Sequence, residues 1–240
     1  MKRILYEITA NDALTADVFR MALRGDTSAI ARPGQFVDLA LPGKFLRRPI
    51  SVCDWDENGL TIIYKVVGAG TEQMAGMKPG EALEALAGLG NGYDVDACPD
   101  DPLLVGGGVG VPPLYSLAKR LIAAGKRPSV ILGFNKAAEI FYADAFAALG
   151  LPVTVTTVDG SAGVRGFVTD AMSSGDYACC CGPMPMLRAV YDKTSGGQFS
   201  FEARMGCGFG ACMGCTMATA DGPKRVCKDG PVFRREAILW

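Results

Sequence analysis

Along the first hundred residues, apolar and polar positions alternate in short runs: "RILYEITA", "VFRMALR", "GQFVDLAL", "RRPISVCDW" and "GLTIIYKVV". A period of two predicts β-strands with one buried face. Turn residues such as Arg32-Pro33-Gly34 and Glu57-Asn58-Gly59 punctuate the runs. Many short strands with little helical period predict a small antiparallel β-barrel over residues 1–98.

After "LGNGYDVDACPDDP" the texture changes. "PLLVGGGVGV" reads as a buried strand and glycine turn, "PPLYSLAKRLIAAG" as a helix, "PSVILGF" as a strand, "EIFYADAFAALG" as a helix and "PVTVTTV" as a strand. A helix-like "GFVTDAMSS", a strand "DYACCCG" and a helix "PMLRAVYDK" extend the series. Strands alternating with helices predict a doubly wound parallel sheet, an α/β domain over residues 99–198. Residues 199–240 remain as a small third unit, and no internal repeat or low-complexity tract is visible.

At 49% hydrophobic residues the chain can bury a core in one large or two small domains with a short appendage. Twenty-four basic against 25 acidic residues give a net charge of -1, with no run of five or six like charges. This points away from nucleic acid as a partner. The opening "MKRILYEITANDAL" meets Glu7 too soon for a signal-peptide apolar region, so a cytoplasmic location is expected. Pro102 to Ala118 is uncharged, but four glycines and three prolines interrupt it, so no membrane segment is expected.

Nine cysteines and no histidine narrow the chemistry further. A reducing compartment favours metal or redox use of thiols over disulfides, and without imidazole no Ser-His or Cys-His nucleophile and no His-ligated zinc can be built. No catalytic base stands out. The thiols of the third unit follow Cys207-x4-Cys212-x2-Cys215-x11-Cys227. The stretch before Cys227 reads as two short strands around Asp221-Gly222, so a hairpin would return Cys227 beside Cys215. A plant-type 2Fe-2S centre takes three thiolates from one tight C-x4-C-x2-C loop and a fourth from elsewhere. Structural zinc is the competing reading, but such sites commonly pair two ligand couples, whereas here three ligands share one loop. Gly206, Gly208, Gly210, Ala211 and Gly214 suit a loop that turns backbone N–H groups towards sulfur. Cys53, Cys98, Cys179 and Cys180 read as small apolar fillers.

Two further motifs carry chemistry. "GGGVGVPP" falls where the strand ending at Val105 gives way to a helix, a turn that lets phosphate approach backbone N–H groups; a merely tight turn is the alternative. In "RRPISVCD" an arginine and a serine on one strand can hold a pyrophosphate, with the Gly-Thr turn of "TIIYKVVGAGT" closing over it; an exposed edge strand with solvated arginines is the alternative.

These residues resemble the ferredoxin-NADP reductase-like flavoproteins, in which a flavin barrel carrying R-P-x-S precedes a nucleotide domain with G-G-G-x-G and a late C-G-P. Here those are Arg48-Pro49-Ile50-Ser51, Gly106-Gly107-Gly108-Val109-Gly110 and Cys181-Gly182-Pro183. Over essentially the whole chain, "LRRPIS", "IIYKVVGAGT", "LLVGGGVGVPPL", "GFVTD", "CGPMPML" and "VCKDGPVF" are similar to the electron-transfer subunits of NAD-linked (type B) dihydroorotate dehydrogenases. "FEAR" stands where a second acidic residue often precedes the arginine, and Met213-Gly214 replaces a bulkier pair.

The resemblance implies FAD held by Arg48, Pro49, Ile50 and Ser51, by Ile63, Tyr64 and Lys65, and by Gly70 and Thr71. It implies NAD over Gly106, Gly107, Gly108, Gly110, Val111 and Pro112, near Cys181, Gly182, Pro183 and Met184, with the Cys181 thiol by the hydride path. It implies a 2Fe-2S cluster on Cys207, Cys212, Cys215 and Cys227, and an FMN-containing catalytic subunit as partner in a heterotetramer of two plus two. "GFNKAAEIFY" offers one lysine and no arginine cluster for a 2'-phosphate, which favours NAD over NADP. Sulfide-, hydrogenase- or bifurcation-linked reductase subunits share these cofactors, and a zinc-bound interaction module is the non-enzyme reading. Arg204, Lys224, Arg225, Arg234 and Arg235 are expected to ring the third unit with charge, for a partner or for solvent.

Overall fold

The computed structural model describes all 240 residues, Met1–Trp240. The alternating runs become β1 (Lys2–Ala13), β2 (Val18–Arg24), β3 (Phe36–Ala40), β4 (Arg48–Trp55) and β5 (Gly59–Lys65). A short helix α1 (Ala69–Gly76) follows, then β6 (Ala82–Leu89). The strands close antiparallel in the order β1-β2-β5-β4-β3-β6. Ile8, Met21, Val37, Leu39, Val52 and Ile62 fill the interior. Neither α1 nor β6 is apparent in the sequence. β6 is "ALEALAGL", whose alanines and leucines carry little β-propensity, yet its burial alternates strictly along the strand. Pairing with β1 and β3 decides its conformation.

The second unit contains β7 (Leu103–Gly107), α2 (Pro112–Ala123), β8 (Ser129–Phe134), α3 (Ala143–Ala148), β9 (Val153–Thr157), β10 (Val164–Arg165), β11 (Tyr177–Cys181), α4 (Met184–Lys193) and β12 (Gly196–Ser200). The sheet runs β10-β9-β8-β7-β11-β12, all parallel. Alternation sends Leu104, Val130, Leu132 and Cys179 to the face covered by α2 and α3, and Val105, Ile131, Ala178 and Cys180 to the face covered by α4. The fillers Cys53, Cys98, Cys179 and Cys180 are all buried, as their apolar settings suggest.

Two expected helices are shorter than the sequence suggests. In "EIFYADAFAALG" only Ala143–Ala148 is α-helical, because Phe141 turns in to meet Phe134 and Tyr142 adopts a left-handed φ of 65°. "GFVTDAMSS" yields a single 3-10 turn at Val168–Ala171, with Asp170 accepting the Phe167 N–H.

The third unit is a hairpin, β13 (Thr216–Thr219) against β14 (Gly222–Arg225), followed by β15 (Val232–Arg234). β15 does not stay with the hairpin: it pairs antiparallel with β12 and completes the seven-stranded sheet. That sheet therefore draws strands from both sides of residue 198. No helix is long and apolar enough to cross a membrane.

Candidate functional site

The hairpin does what the spacing asks of it. Thr216 pairs with Arg225, and this register sets the Cys227 N–H 3.4 Å from the Cys215 sulfur. In the preceding loop the N–H groups of Ala211 and Cys212 reach the Cys207 sulfur at 3.2 and 3.4 Å, and the Gly214 N–H reaches Cys212 at 3.5 Å. Arg225 locks the base of the loop, donating to the Gly210 carbonyl at 2.8 Å and to Asp229 at 2.9 Å. Met213, between Cys212 and Cys215, takes a left-handed φ of 60°, local strain of the kind that functional loops store.

Cys215 and Cys227 are buried, while Cys207 is half-buried and Cys212 exposed. Burial, with the adjacent Cys215 thiol, pushes Cys227 up to about 12. Burial would likewise raise Cys207, but the N–H groups of Cys212, Phe209 and Ala211 and the Cys212 thiol hold it at about 6. The thiols thus stand as two pairs, 207 with 212 and 215 with 227. No three His, Cys, Asp or Glu groups converge on one point as a single metal ion requires. Two pairs suit a two-iron cluster, which takes two thiolates per iron, and its cationic core would relieve the crowded sulfurs.

On the barrel, Arg48–Ser51 lie half-exposed along β4. Arg48 folds over Gly70, where an added Cβ would stand 2.1 Å from its Nε, so glycine is what lets the guanidinium reach the N-terminus of α1. Thr71 shapes that turn by accepting the N–H groups of Val67 and Gly68 at 2.9 and 3.3 Å. Guanidinium and helix N-terminus together can hold a pyrophosphate. The 63–65 stretch contributes less than the resemblance implies. Tyr64 points into the barrel and donates to Asn11 at 2.9 Å, Ile63 packs in the core, and Lys65 pairs with Asp17 at 3.0 Å. Ile63 and Tyr64 are buried, and of the three only Lys65 is partly exposed.

The glycine turn falls between β7 and β11, where the strand order reverses. In doubly wound sheets this crevice, at the carboxyl ends of the strands, is where ligands bind. Gly108–Gly110 form one 3-10 turn that leads into α2, whose first residues are Pro112 and Pro113. A Cβ on Gly110 would lie 2.2 Å from the Cys181 carbonyl oxygen, and one on Gly107 2.4 Å from the Met186 sulfur. Gly106, Gly107, Gly110, Cys181, Gly182 and Pro183 are thereby brought together, as expected of one nucleotide site. Burial pushes the Cys181 thiol up to about 12 despite hydrogen bonding to Ser200, so it is a neutral group there.

A family model described as the iron-sulfur cluster binding domain of dihydroorotate dehydrogenase B matches residues 202–239. The chain is 42% identical to the dihydroorotate dehydrogenase B (NAD(+)) electron transfer subunit of Fusobacterium nucleatum, over 94% of each chain. It is 42% identical to that of Bacillus mycoides over 92% of each. The chain belongs to this electron transfer subunit family. Among solved structures, that of an NADH-dependent reduced ferredoxin-NADP oxidoreductase, described in the context of flavin-based electron bifurcation, matches with TM-score 0.88 and 32% identity, over 98% of this chain and 90% of the other. A ferredoxin NADP+ reductase from Neisseria gonorrhoeae, at 16% identity and TM-score 0.70 over 80% of this chain and 90% of the other, shares the fold.

Within this electron transfer subunit the expected ring of positive charge is largely spent internally. Arg225 pairs with Asp229, Arg234 pairs with Asp94 at 3.0 Å, and Arg235 lies 4.0 Å over the Tyr191 ring; Arg204 stays exposed. Asn91, unremarked in the sequence, clamps the return from the hairpin: it donates to the carbonyls of Asp229 and Val232 and accepts the Val232 N–H. Asp38, outside every sequence motif, is 2% exposed on β3. Burial raises its carboxyl to about 6, with the Arg47 and Arg48 charges opposing the rise and Cys207 adding to it. Its signal was available, since it is a lone charge inside the apolar run "FVDLA".

Proposed function

We propose that this subunit carries electrons between a catalytic flavin subunit that oxidises dihydroorotate to orotate and NAD, as its relatives' name implies. The observation that supports the reading best is the thiol hairpin, two sulfur pairs on a loop seated against the flavin barrel and closing into the nucleotide sheet. When bound, FAD exchanges electrons in pairs with the nicotinamide and singly with a 2Fe-2S cluster. The chain's own part is placement. Arg48, Ser51, Gly70 and Thr71 would hold the FAD pyrophosphate, and Pro49, Ile50 and the 63–65 backbone the rest of the flavin. Gly106 to Pro112 with Gly182 to Met184 would hold the nicotinamide nucleotide. Cys207, Cys212, Cys215 and Cys227 would ligate the cluster, and Cys212, flanked by exposed Phe209 and Met213, would face the acceptor. The complex is read as a cytoplasmic heterotetramer of two copies with two FMN-containing partner subunits.

Cys181, neutral at the end of β11, excludes water where hydride passes. Cys181→Ala is expected to lower NADH-to-dye turnover by about tenfold, equivalent to ~1.4 kcal/mol in the barrier. Unchanged turnover would remove Cys181 from this role.

The reading as a whole is tested by co-expression with a dihydroorotate-oxidising subunit. Dihydroorotate-dependent NAD reduction is expected only when both chains are present, with NADP a poor substitute. Iron and acid-labile sulfide should accompany the anaerobically purified protein, whereas stoichiometric zinc without sulfide would favour an interaction module. A complex that reduces ferredoxin but ignores dihydroorotate would favour the second reading, a bifurcation-type reductase subunit, which the 32%-identical structure supports.

A further inference from the structure

Asp38 sits where two of the three candidate sites meet. On β3 its neighbours Val37 and Leu39 point into the barrel, while Phe36 joins the apolar cluster that contains Cys215, Val226 and Cys227. Asp38 shares the outward direction of Phe36, beneath the thiol loop, because alternate strand residues share a face. A Cβ on Gly208, next to Cys207, would stand 2.3 Å from Asp38 Oδ2, so loop and carboxylate are in contact. Across the ladder, Asp38 pairs with Pro49 of the flavin strand.

The carboxylate is poorly compensated for so buried a group. Its Oδ1 has no hydrogen-bond partner. Arg47 is close, but it donates to the Asp38 backbone carbonyl at 3.2 Å and to Glu84 at 2.5 Å. Arg48 donates to the Leu46 carbonyl at 2.6 Å and lies over Gly70. A buried acceptor left without a donor is costly, and a carboxylate that served only to fasten β3 to the loop would be expected to find one. What the arrangement does supply is a fixed negative charge behind the thiol loop, in a setting where charges are weakly screened.

We propose that Asp38 is a positioning residue that holds down the reduction potential of the cluster bound by Cys207, Cys212, Cys215 and Cys227. The inference rests on those four residues being the ligands. Net charge, hydrogen bonds to sulfur and solvent exposure set iron–sulfur potentials. An added electron placed beside a buried carboxylate whose Oδ1 has no donor is destabilised, which makes the reduced cluster a better donor. That direction suits delivery onward to NAD, whose reduced form is itself a strong reductant.

The test is a redox titration of the anaerobically purified protein at pH 8, following the cluster by its paramagnetic resonance and the flavin by its absorbance. Asp38→Asn, nearly isosteric, is expected to raise the equilibrium constant for one-electron reduction of the cluster at least tenfold, about 59 mV for a one-electron couple. The flavin potential should move less, and iron and sulfide content should not change. Asp38→Ser, smaller and also neutral, should move the potential in the same direction even if one variant loads its cluster poorly. A loaded cluster whose potential is unmoved in both variants, or moves in opposite directions, overturns the role of Asp38 alone. Wild-type protein lacking iron and sulfide overturns the ligand assignment beneath it.

Discussion

Replacing Cys227 by serine is expected to abolish electron transfer to the partner, by at least ~1,000-fold or about 4 kcal/mol in effective barrier, while NADH-to-dye turnover through the flavin persists. Cys227 is the proposed ligand furthest in sequence from the loop, and it is 1% exposed, so no solvent group can take its place. Serine keeps the shape but offers a harder oxygen where a two-iron centre takes soft thiolate. The hairpin itself should stand, because β13 and β14 pair through backbone groups and Arg225 holds the loop through the Gly210 carbonyl and Asp229. The measurement is sulfide and iron per flavin together with both activities. Full sulfide content in Cys227→Ser would show that the fourth ligand lies elsewhere. Cys180→Ala serves as the control: it removes a buried thiol from the sheet and should leave the cluster intact.

Gly110→Ala should be nearly as severe at the other end of the chain of sites. The added carbon would sit 2.2 Å from the Cys181 carbonyl oxygen and 2.4 Å from its carbonyl carbon. Both are backbone atoms of β11, which cannot swing aside as a side chain would. Either β7 and β11 part at their carboxyl ends or the turn is rebuilt, and both outcomes spoil the crevice. Overpacking of this kind costs about 1–3 kcal/mol. NADH-dependent flavin reduction should fall by about a hundredfold or more, equivalent to ~2.7 kcal/mol. Flavin content should be retained, because Arg48 and the α1 turn lie on the barrel. Near-normal kcat/KM for NADH in a stably folded Gly110→Ala would mean that the nucleotide does not use this turn.

The parts of this fold that were legible in the sequence are those where one signal dominates. Short apolar runs bounded by turn residues, such as β5, and the strand–glycine–helix transition after Val105 could be placed from local pattern alone. The cysteine spacing in the third unit was legible because a cluster-binding motif is written locally along the chain. β6 was hidden because its alanines favour helix, and only pairing with β1 and β3 outweighs that preference. The 139–150 helix was overestimated because Phe141 gains more from the Phe134 contact than from continuing the turn. At the sites, residue type could propose Tyr64 and Lys65 for the flavin, but not that Tyr64 faces inward to Asn11 and Lys65 is held by Asp17. Asp38 and Asn91 matter through contacts far away in sequence, with Gly208 and with Val232, and one-dimensional pattern carries no trace of those.

The return of β15 to the side of β12 means that the thiol hairpin leaves the sheet and re-enters it through adjacent strands. Neighbouring strands are ~5 Å apart, so the two ends of the excursion could be joined by a short turn without rethreading anything. The hairpin is therefore modular: excising it would leave the flavin and nucleotide halves in register. Asn91 would keep its bonds to Val232 on β15 through such an excision, so the clamp belongs to the sheet as much as to the hairpin.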